Sequence, residues 1–233
     1  MRHFIFCHGF GFNNNFWCKL TPYFSQERCT YLDLGYFNNP SECIADSQNR
    51  VIPAGLEATE EACIGIGHSL GLLKLLNTGK SFDCIVGLNS FVNFLGNDPA
   101  LRNKRNLELE LLKQHFIQSP LSTLKRFYKR CGVPSFINQI NKEKINTNRL
   151  RADLKLLKLN ITPPAMIPIL IMASEDDEIV PKALVHDNFD PYTNVKIEVT
   201  RNGKHRLGLL EVDKLYEKIM SFINDSVTNH SQK

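Results

Sequence analysis

Two hydrophobic periodicities share this chain. Short apolar or β-rich runs fall at 3–7, 29–34, 62–66, 84–88, 168–173 and 195–200. Most are continuous rather than alternating, the pattern of strands buried on both faces of a parallel sheet. Between them, apolar residues recur at helical spacing over 16–24, 70–77, 181–188 and 211–224. In the last stretch Val212, Leu215, Tyr216, Ile219, Phe222 and Ile223 form one stripe. Strands alternating with helices predict βαβ units, hence an α/β fold with a mostly parallel central sheet flanked by helices.

The alternation stops between 96 and 161. This stretch reads as helices only, at 104–118, 120–131 and 146–159. Pro120 stands near a helix start, and Pro163-Pro164 closes the block before the sheet resumes. The pattern therefore predicts a core of residues 1–95 and 162–233 with an inserted helical cap, 96–161. Within the cap Leu107, Leu111, Phe116, Leu121, Leu124 and Phe127 have helical spacing. They are expected between cap and sheet, one or two of them lining a tunnel.

Charge sharpens this division. The chain has 28 Lys and Arg against 24 Asp and Glu. Fourteen of the bases and only five of the acids fall in 96–161, a net of +9, which leaves the remainder at −5. A basic block in an otherwise acidic chain suggests a negatively charged partner. No nucleic-acid motif or interleaved stacking aromatics accompany it, so nucleic acid is not the expected partner.

Composition adds exclusions. With 233 residues, 42% hydrophobic and 22% charged, the chain can bury a core without disulfides or metal. The longest apolar stretch, 165–173, is nine residues and contains Pro168, whereas a membrane-spanning helix needs about 20. The apolar run at 4–7 meets His8-Gly9 too soon to be a secretory signal. Seven cysteines, at 7, 18, 29, 43, 63, 84 and 131, contain no C-x-x-C pair. They read as reduced, buried thiols of a cytoplasmic protein, with no zinc site. Cys7 and His8 are adjacent on a strand and point to opposite faces, which argues against a nucleophile pair.

The strongest motif is Gly65-Ile66-Gly67-His68-Ser69-Leu70-Gly71. It contains G-x-S-x-G, with a β-like run before it and Leu72-Leu73-Lys74-Leu75-Leu76 after it. A serine on a sharp strand-to-helix turn exposes its hydroxyl, and flanking glycines let strand and helix pack closely around it. A phosphate-binding turn fits less well: position 70 is Leu where G-x-G-x-x-G requires Gly, and no P-loop Lys follows. Ser69 is the candidate nucleophile, and the N–H of Leu70 a candidate oxyanion donor.

A hydrolytic serine needs an acid and then a histidine, in that chain order. After the run at 168–173 comes Ser174-Glu175-Asp176-Asp177-Glu178, and after the run at 195–200 comes Arg201-Asn202-Gly203-Lys204-His205. Both lie just past the carboxyl end of a strand, where α/β sheets hold their sites. Asp177 and His205 complete the candidate triad, with Asp176 the alternative acid. His68 is expected in the wall beneath the turn. The first strand ends in His8-Gly9-Phe10-Gly11-Phe12, which makes the Phe10 N–H the second oxyanion donor.

With these residues the chain resembles the α/β-hydrolases. More narrowly it resembles the pimeloyl-acyl-carrier-protein methyl ester carboxylesterases of biotin synthesis. The segment HGFGFNNNFW is similar to that family's HGWG-x-N-x-x-x-W, and Asp177-Glu178-Ile179-Val180-Pro181 to its D-x-x-V-P. Thr123-Leu124-Lys125-Arg126-Phe127 followed by Gly132 resembles its T-V-x-R-F and Gly, and the similarity continues over Leu150-Arg151-Ala152-Asp153-Leu154. The segment Leu34-Gly35-Tyr36-Phe37-Asn38 departs from the usual Pro-Gly-x-Gly-x-Ser.

The resemblance implies hydrolysis of a methyl ester on an acyl carrier protein, without cofactor. It implies a carrier contact at Arg126, and the charge of the basic cap independently makes Lys104, Arg105, Lys125, Arg126, Lys129 and Arg130 candidates for docking an acidic carrier. Trp17, beside the oxyanion loop, and Phe127, in the acyl channel, are the implied substrate-binding residues. Alternatives are a short-chain carboxylesterase or thioesterase, and a non-catalytic binding protein of the same fold.

Overall fold

Six strands pair into one all-parallel sheet in the order β2-β1-β5-β6-β7-β8. They are β1 (Arg2–Cys7), β2 (Arg28–Leu32), β5 (Ala62–His68), β6 (Cys84–Leu88), β7 (Ile169–Ser174) and β8 (Val195–Thr200). A small antiparallel pair, β3 (Cys43–Ala45) and β4 (Val51–Pro53), stands apart. The computed structural model describes residues 2–37, 43–45, 51–53 and 62–230, with backbone only for 43–45, 51–53 and 227–230. The expected buried thiol at Cys43 and the departure at Asn38 lie outside what is described.

Burial follows the sequence pattern. From their second residue onward β1 and β5 are buried, as are β6 and β7 throughout, so their apolar runs are continuous. The edge strand β8 is only partly covered and includes Lys196 and Glu198. Sequence order reverses between β1 and β5: β2 lies on one side and β6 to β8 on the other. Ligands of open α/β sheets bind at such a reversal, at the carboxyl ends of the strands. Register pairs Cys7 with Gly67, Gly67 with Gly87 and Gly87 with Ile171, so the loops after β1, β5, β6 and β7 open at one edge.

The core helices are α1 (Leu70–Leu76), α5 (Lys182–Phe189) and α6 (Val212–His230). On α6, Leu215, Ile219 and Ile223 are buried, and the rest of the expected stripe packs against the core. The helix expected at 16–24 is instead two 3₁₀ turns, Asn14–Trp17 and Thr21–Phe24. Pro22 removes an N–H in the middle of that stretch and opens the second turn. Phe16, Trp17, Leu20 and Phe24 are nonetheless buried.

Three helices lie between β6 and β7: α2 (Pro99–Gln118), α3 (Pro120–Cys131) and α4 (Thr147–Leu156). Each boundary has a local cause. Asp98 accepts from Leu101 N at 2.8 Å and Asn146 accepts from Arg149 N at 3.0 Å, both capping bonds, and Pro99 and Pro120 open helices. Gly132, at φ 81°, ends α3 in the left-handed region.

The buried residues of α2 are Arg105, Leu109 and Phe116. The expected stripe was wrong in phase at Leu107, which is 62% exposed and lies two residues, about 200° of helix, from Arg105 and from Leu109. Leu111 is 45% exposed but lines the cavity beneath the cap, as expected of one or two stripe residues. Phe116 and Leu124 are buried as expected.

A buried charge cluster ties α4 to α1. Lys74 Nζ meets Asp153 Oδ1 at 2.7 Å, and the Tyr36 hydroxyl donates to Asp153 Oδ2 at 2.5 Å. Burial and the Asp153 charge push the Tyr36 phenol far above its ordinary value. Of the expected buried thiols, Cys7, Cys63, Cys84 and Cys131 are buried, Cys29 is half-buried on β2, and Cys18 is exposed at the end of a 3₁₀ turn. No described helix is long and apolar enough to cross a membrane.

Candidate active site

Ser69 occupies the turn between β5 and α1 at φ 54° and ψ −122°. A positive φ on a non-glycine residue stores strain, and such residues persist where the surrounding fold imposes them. Here the fold does so by packing. A Cβ on Gly71 would stand 2.1 Å from Cys7 O, and one on Gly67 2.6 Å from Leu72 N. The strand and helix therefore close to backbone contact, and the serine between them is pushed outward into the cavity described below.

The loops after β7 and β8 meet at this end of the sheet. Asp177 and His205 are both buried, and His205 Nδ1 donates to Asp177 Oδ2 at 2.8 Å. The carboxylate is held on both oxygens: Oδ1 accepts from Ile179 N at 2.7 Å and Val180 N at 2.9 Å. The neighbouring Asp176 is exposed and accepts instead from Lys204 N at 2.8 Å, at the shoulder of the histidine loop. The geometry thus separates the two acids left open by the sequence: Asp177 reaches the imidazole.

One residue of this cluster escaped the sequence reading. Asn89, directly after β6, is fully buried at φ 47°. Its Nδ2 lies 2.8 Å from Asp177 Oδ2, 3.2 Å from Ser174 Oγ and 3.1 Å from Lys204 O. Its Oδ1 accepts from Leu207 N at 3.2 Å. Asn89 therefore ties the acid loop to the histidine loop. Its one visible signal was its place at the end of a strand, beside the other site loops.

His205 Nε2 is buried and makes no hydrogen bond, so the bond from Ser69 Oγ to this nitrogen is not formed in this structure. Catalytic hydrogen bonds are often long before substrate binds. The His205 ring lies 4.8 Å from that of His68, the residue before Ser69. His68 forms the wall expected of it: fully buried, stacked on Phe16 at 4.0 Å, with neither ring nitrogen hydrogen-bonded. Burial, reinforced by the neighbouring His205, pushes its imidazole well below the ordinary value.

The loop after β1 crowds the serine. A Cβ on Gly9 would lie 2.9 Å from Ser69 Cβ. His8 fixes the loop's orientation: Leu34 N donates to His8 Nε2 at 3.0 Å, so His8 Nδ1 carries the proton and donates to Gly9 O, also at 3.0 Å. Phe12 N donates to the same carbonyl. In a trans peptide the Phe10 N–H points the opposite way. Among the described residues neither it nor the Leu70 N–H has a hydrogen-bond partner.

Above the serine opens a cavity of about 340 Å³ between core and cap. Its wall is mainly apolar, with Phe10, Phe91, Leu109, Phe127 and Leu157 from both layers. Phe127 thus lies where the acyl channel was expected. Trp17 does not: it is fully buried against Phe6 and Phe16, outside the cavity wall. The 3₁₀ turn that carries it faces the core, so its assignment to substrate binding is corrected. Lys125, Arg126, Lys129 and Arg130 are exposed on α3, and Arg126 and Arg130 also border the cavity. Arg130 donates to Glu178 O at 2.9 Å.

The parallel sheet with its order reversal, the serine turn and the acid and histidine loops define the α/β-hydrolase fold. Solved structures of this fold resemble the chain over nearly its whole length. An esterase from Exiguobacterium antarcticum matches with a TM-score of 0.73 at 16% identity, over 96% of this chain and 92% of that one. A Bacillus megaterium epoxide hydrolase matches with a TM-score of 0.69 at 16% identity, over 96% and 94%. MenH from S. aureus matches with a TM-score of 0.64 at 14% identity, over 97% and 94%. No protein-family model and no curated protein sequence matches the chain.

Proposed function

We propose that the protein is a serine carboxylesterase acting on the methyl ester of pimeloyl-acyl-carrier protein, in biotin precursor synthesis. The hydrolase part rests on one observation: a strained Ser69 borders the cavity with Phe10 and Leu70, whose amides are unpartnered, and the His205–Asp177 pair packs against His68, the residue before Ser69. Ser69 Oγ attacks the ester carbonyl while His205 Nε2 takes its proton. Asp177 holds the imidazole in the right tautomer and stabilises the imidazolium. The N–H groups of Phe10 and Leu70 receive the oxyanion, each contributing about 3–4 kcal/mol. His205 returns the proton to the departing methanol, and water repeats the sequence on the acyl-enzyme.

The carrier part is supported by the cap. Lys125, Arg126 and Lys129 are exposed on α3 and, among the described residues, make no ion pair. Arg126 stands at the cavity, so an acidic carrier drawn to this face would present its acyl chain to the opening. The carrier reading assigns the protein to the cytoplasm.

Ser69→Ala is expected to abolish ester hydrolysis and labelling by a fluorophosphonate, and retained turnover would reject the nucleophile. The substrate is tested by comparing pimeloyl-carrier-protein methyl ester with the free methyl ester over a salt series. Turnover of the carrier ester should fall steeply with salt while that of the free ester stays level. Charge reversal at Arg126 and Lys129 should lower the first more than the second. Equal salt response and equal loss would leave a general small-ester hydrolase.

A further inference from the structure

Two long-chain cations are buried among the described residues, Lys74 and Arg105, and only Lys74 is in contact with a carboxylate, while Glu108 and Asp177 act on Arg105 from beyond ion-pair distance. Lys74 is matched by Asp153. Arg105 is 5% exposed and has no carboxylate within ion-pair distance, yet it borders the cavity that opens on Ser69. An isolated buried charge is costly, so its partners matter. Nε donates to Phe94 O at 2.6 Å, Nη2 donates to Ile179 O at 3.0 Å, and the guanidinium lies 4.2 Å over the Phe94 ring.

These contacts fix the plane of the fork but use two of its five N–H donors. Glu108, one turn along α2, also borders the cavity but stays exposed and outside pairing distance. A second cavity, of about 300 Å³, shares Arg105, Glu108, Arg130 and Glu178 with the first. Arg105 therefore stands where an apolar chamber holding the nucleophile adjoins a charged one.

We propose that Arg105 is a carboxylate subsite inside the acyl cavity, selecting esters whose acyl chain ends in a free carboxylate. The apolar wall takes the methylene chain with the ester at Ser69, and the unmatched guanidinium donors take the far carboxylate. A fixed planar fork suits a carboxylate better than a neutral chain end. The subsite rests on the ester-hydrolase reading and stands as an alternative to the carrier, since a pimeloyl-carrier-protein methyl ester has a thioester, not a free carboxylate, at the far end of its chain.

The test compares monomethyl pimelate with methyl heptanoate, chains of equal length that differ in charge at the far end. In the wild-type protein kcat/KM should favour the anionic ester by about tenfold or more, as expected of a charge-assisted hydrogen bond. In Arg105→Met the ratio should collapse towards unity. The ratio is read rather than the absolute rate, because losing the two carbonyl contacts could slow both substrates. Should the variant fail to fold, inhibition of the wild-type protein decides: pimelate should inhibit methyl heptanoate hydrolysis about tenfold more tightly than heptanoate does. Equal rates in the wild type, or equal inhibition by the two acids, overturns the subsite and leaves the esterase standing. Hydrolysis of neither ester, with no labelling of Ser69, overturns the esterase reading itself.

Discussion

At the scale of the residue, the site is a set of hydrogen bonds that leave few groups free to turn. Asp177 accepts from two backbone amides, an imidazole and an amide side chain, which fixes both its oxygens. Asn89 contributes the fourth of these and also holds Lys204 O, one residue before His205. It lies outside the cavity wall and contacts the acid and the histidine loop, so it is a positioning residue. Asn89→Ala should lower kcat on a small ester by about tenfold to a hundredfold with KM nearly unchanged, the cost of one hydrogen bond to a charged group. Steady-state kinetics on a p-nitrophenyl ester checks this, and a rise in KM with kcat intact would assign Asn89 to binding instead. Ser69, Asp177 and His205 were legible in the sequence because each follows a strand-like run in a fixed order. Asn89 was not, since an asparagine after a strand is also an ordinary turn residue.

At the scale of the element, the cap is held by charges as well as by apolar contact. Asp153 on α4 is buried with Lys74 on α1 and Tyr36 from the loop after β2. Removing one member leaves the others buried and unmatched, so Asp153→Ala should cost about 3–5 kcal/mol in a denaturant titration. Pairing it with Lys74→Met should restore part of that loss, because the stranded cation is then gone. A double variant no more stable than the single one would show that packing, not charge matching, holds α4. The extent of α3 was readable from periodicity and from Pro120, whereas α6 begins where its stripe does but runs to His230, past the expected end at 224. The phase of α2 was only partly readable: Leu111 lines the cavity, but Leu107 faces outward and the buried face carries Arg105 and Leu109. Helical spacing identifies a stripe, and only the neighbouring layer decides which stripe faces inward.

At the scale of the whole molecule, the site's burial makes stability depend on pH. His68 is fully buried and its imidazole is held well below the ordinary value of 6.5, chiefly by desolvation. The unfolded chain takes up a proton at this position as pH falls through about 6.5, and the folded chain does not. The stability contribution is therefore complete above about 6.5 and declines below it, towards the depressed folded value. Unfolding by urea across that range should show this acid limb. His68→Phe should flatten it, since a phenyl ring can keep the stack on Phe16 and cannot titrate. An unchanged slope in the variant would assign the limb to other groups.

The sequence by itself determined the α/β class, the helices between the sixth and seventh strands, and the chain order of serine, acid and histidine. These depend on local periodicity and on residues next to a strand end, which one stretch of chain carries complete. Tertiary structure alone decided that Asp177 rather than Asp176 reaches His205, that Trp17 turns into the core, and that Arg105 is buried at the wall of the cavity that Ser69 also borders. Each of these depends on which distant segment packs against the side chain, and neighbours in space leave no periodic mark in the sequence.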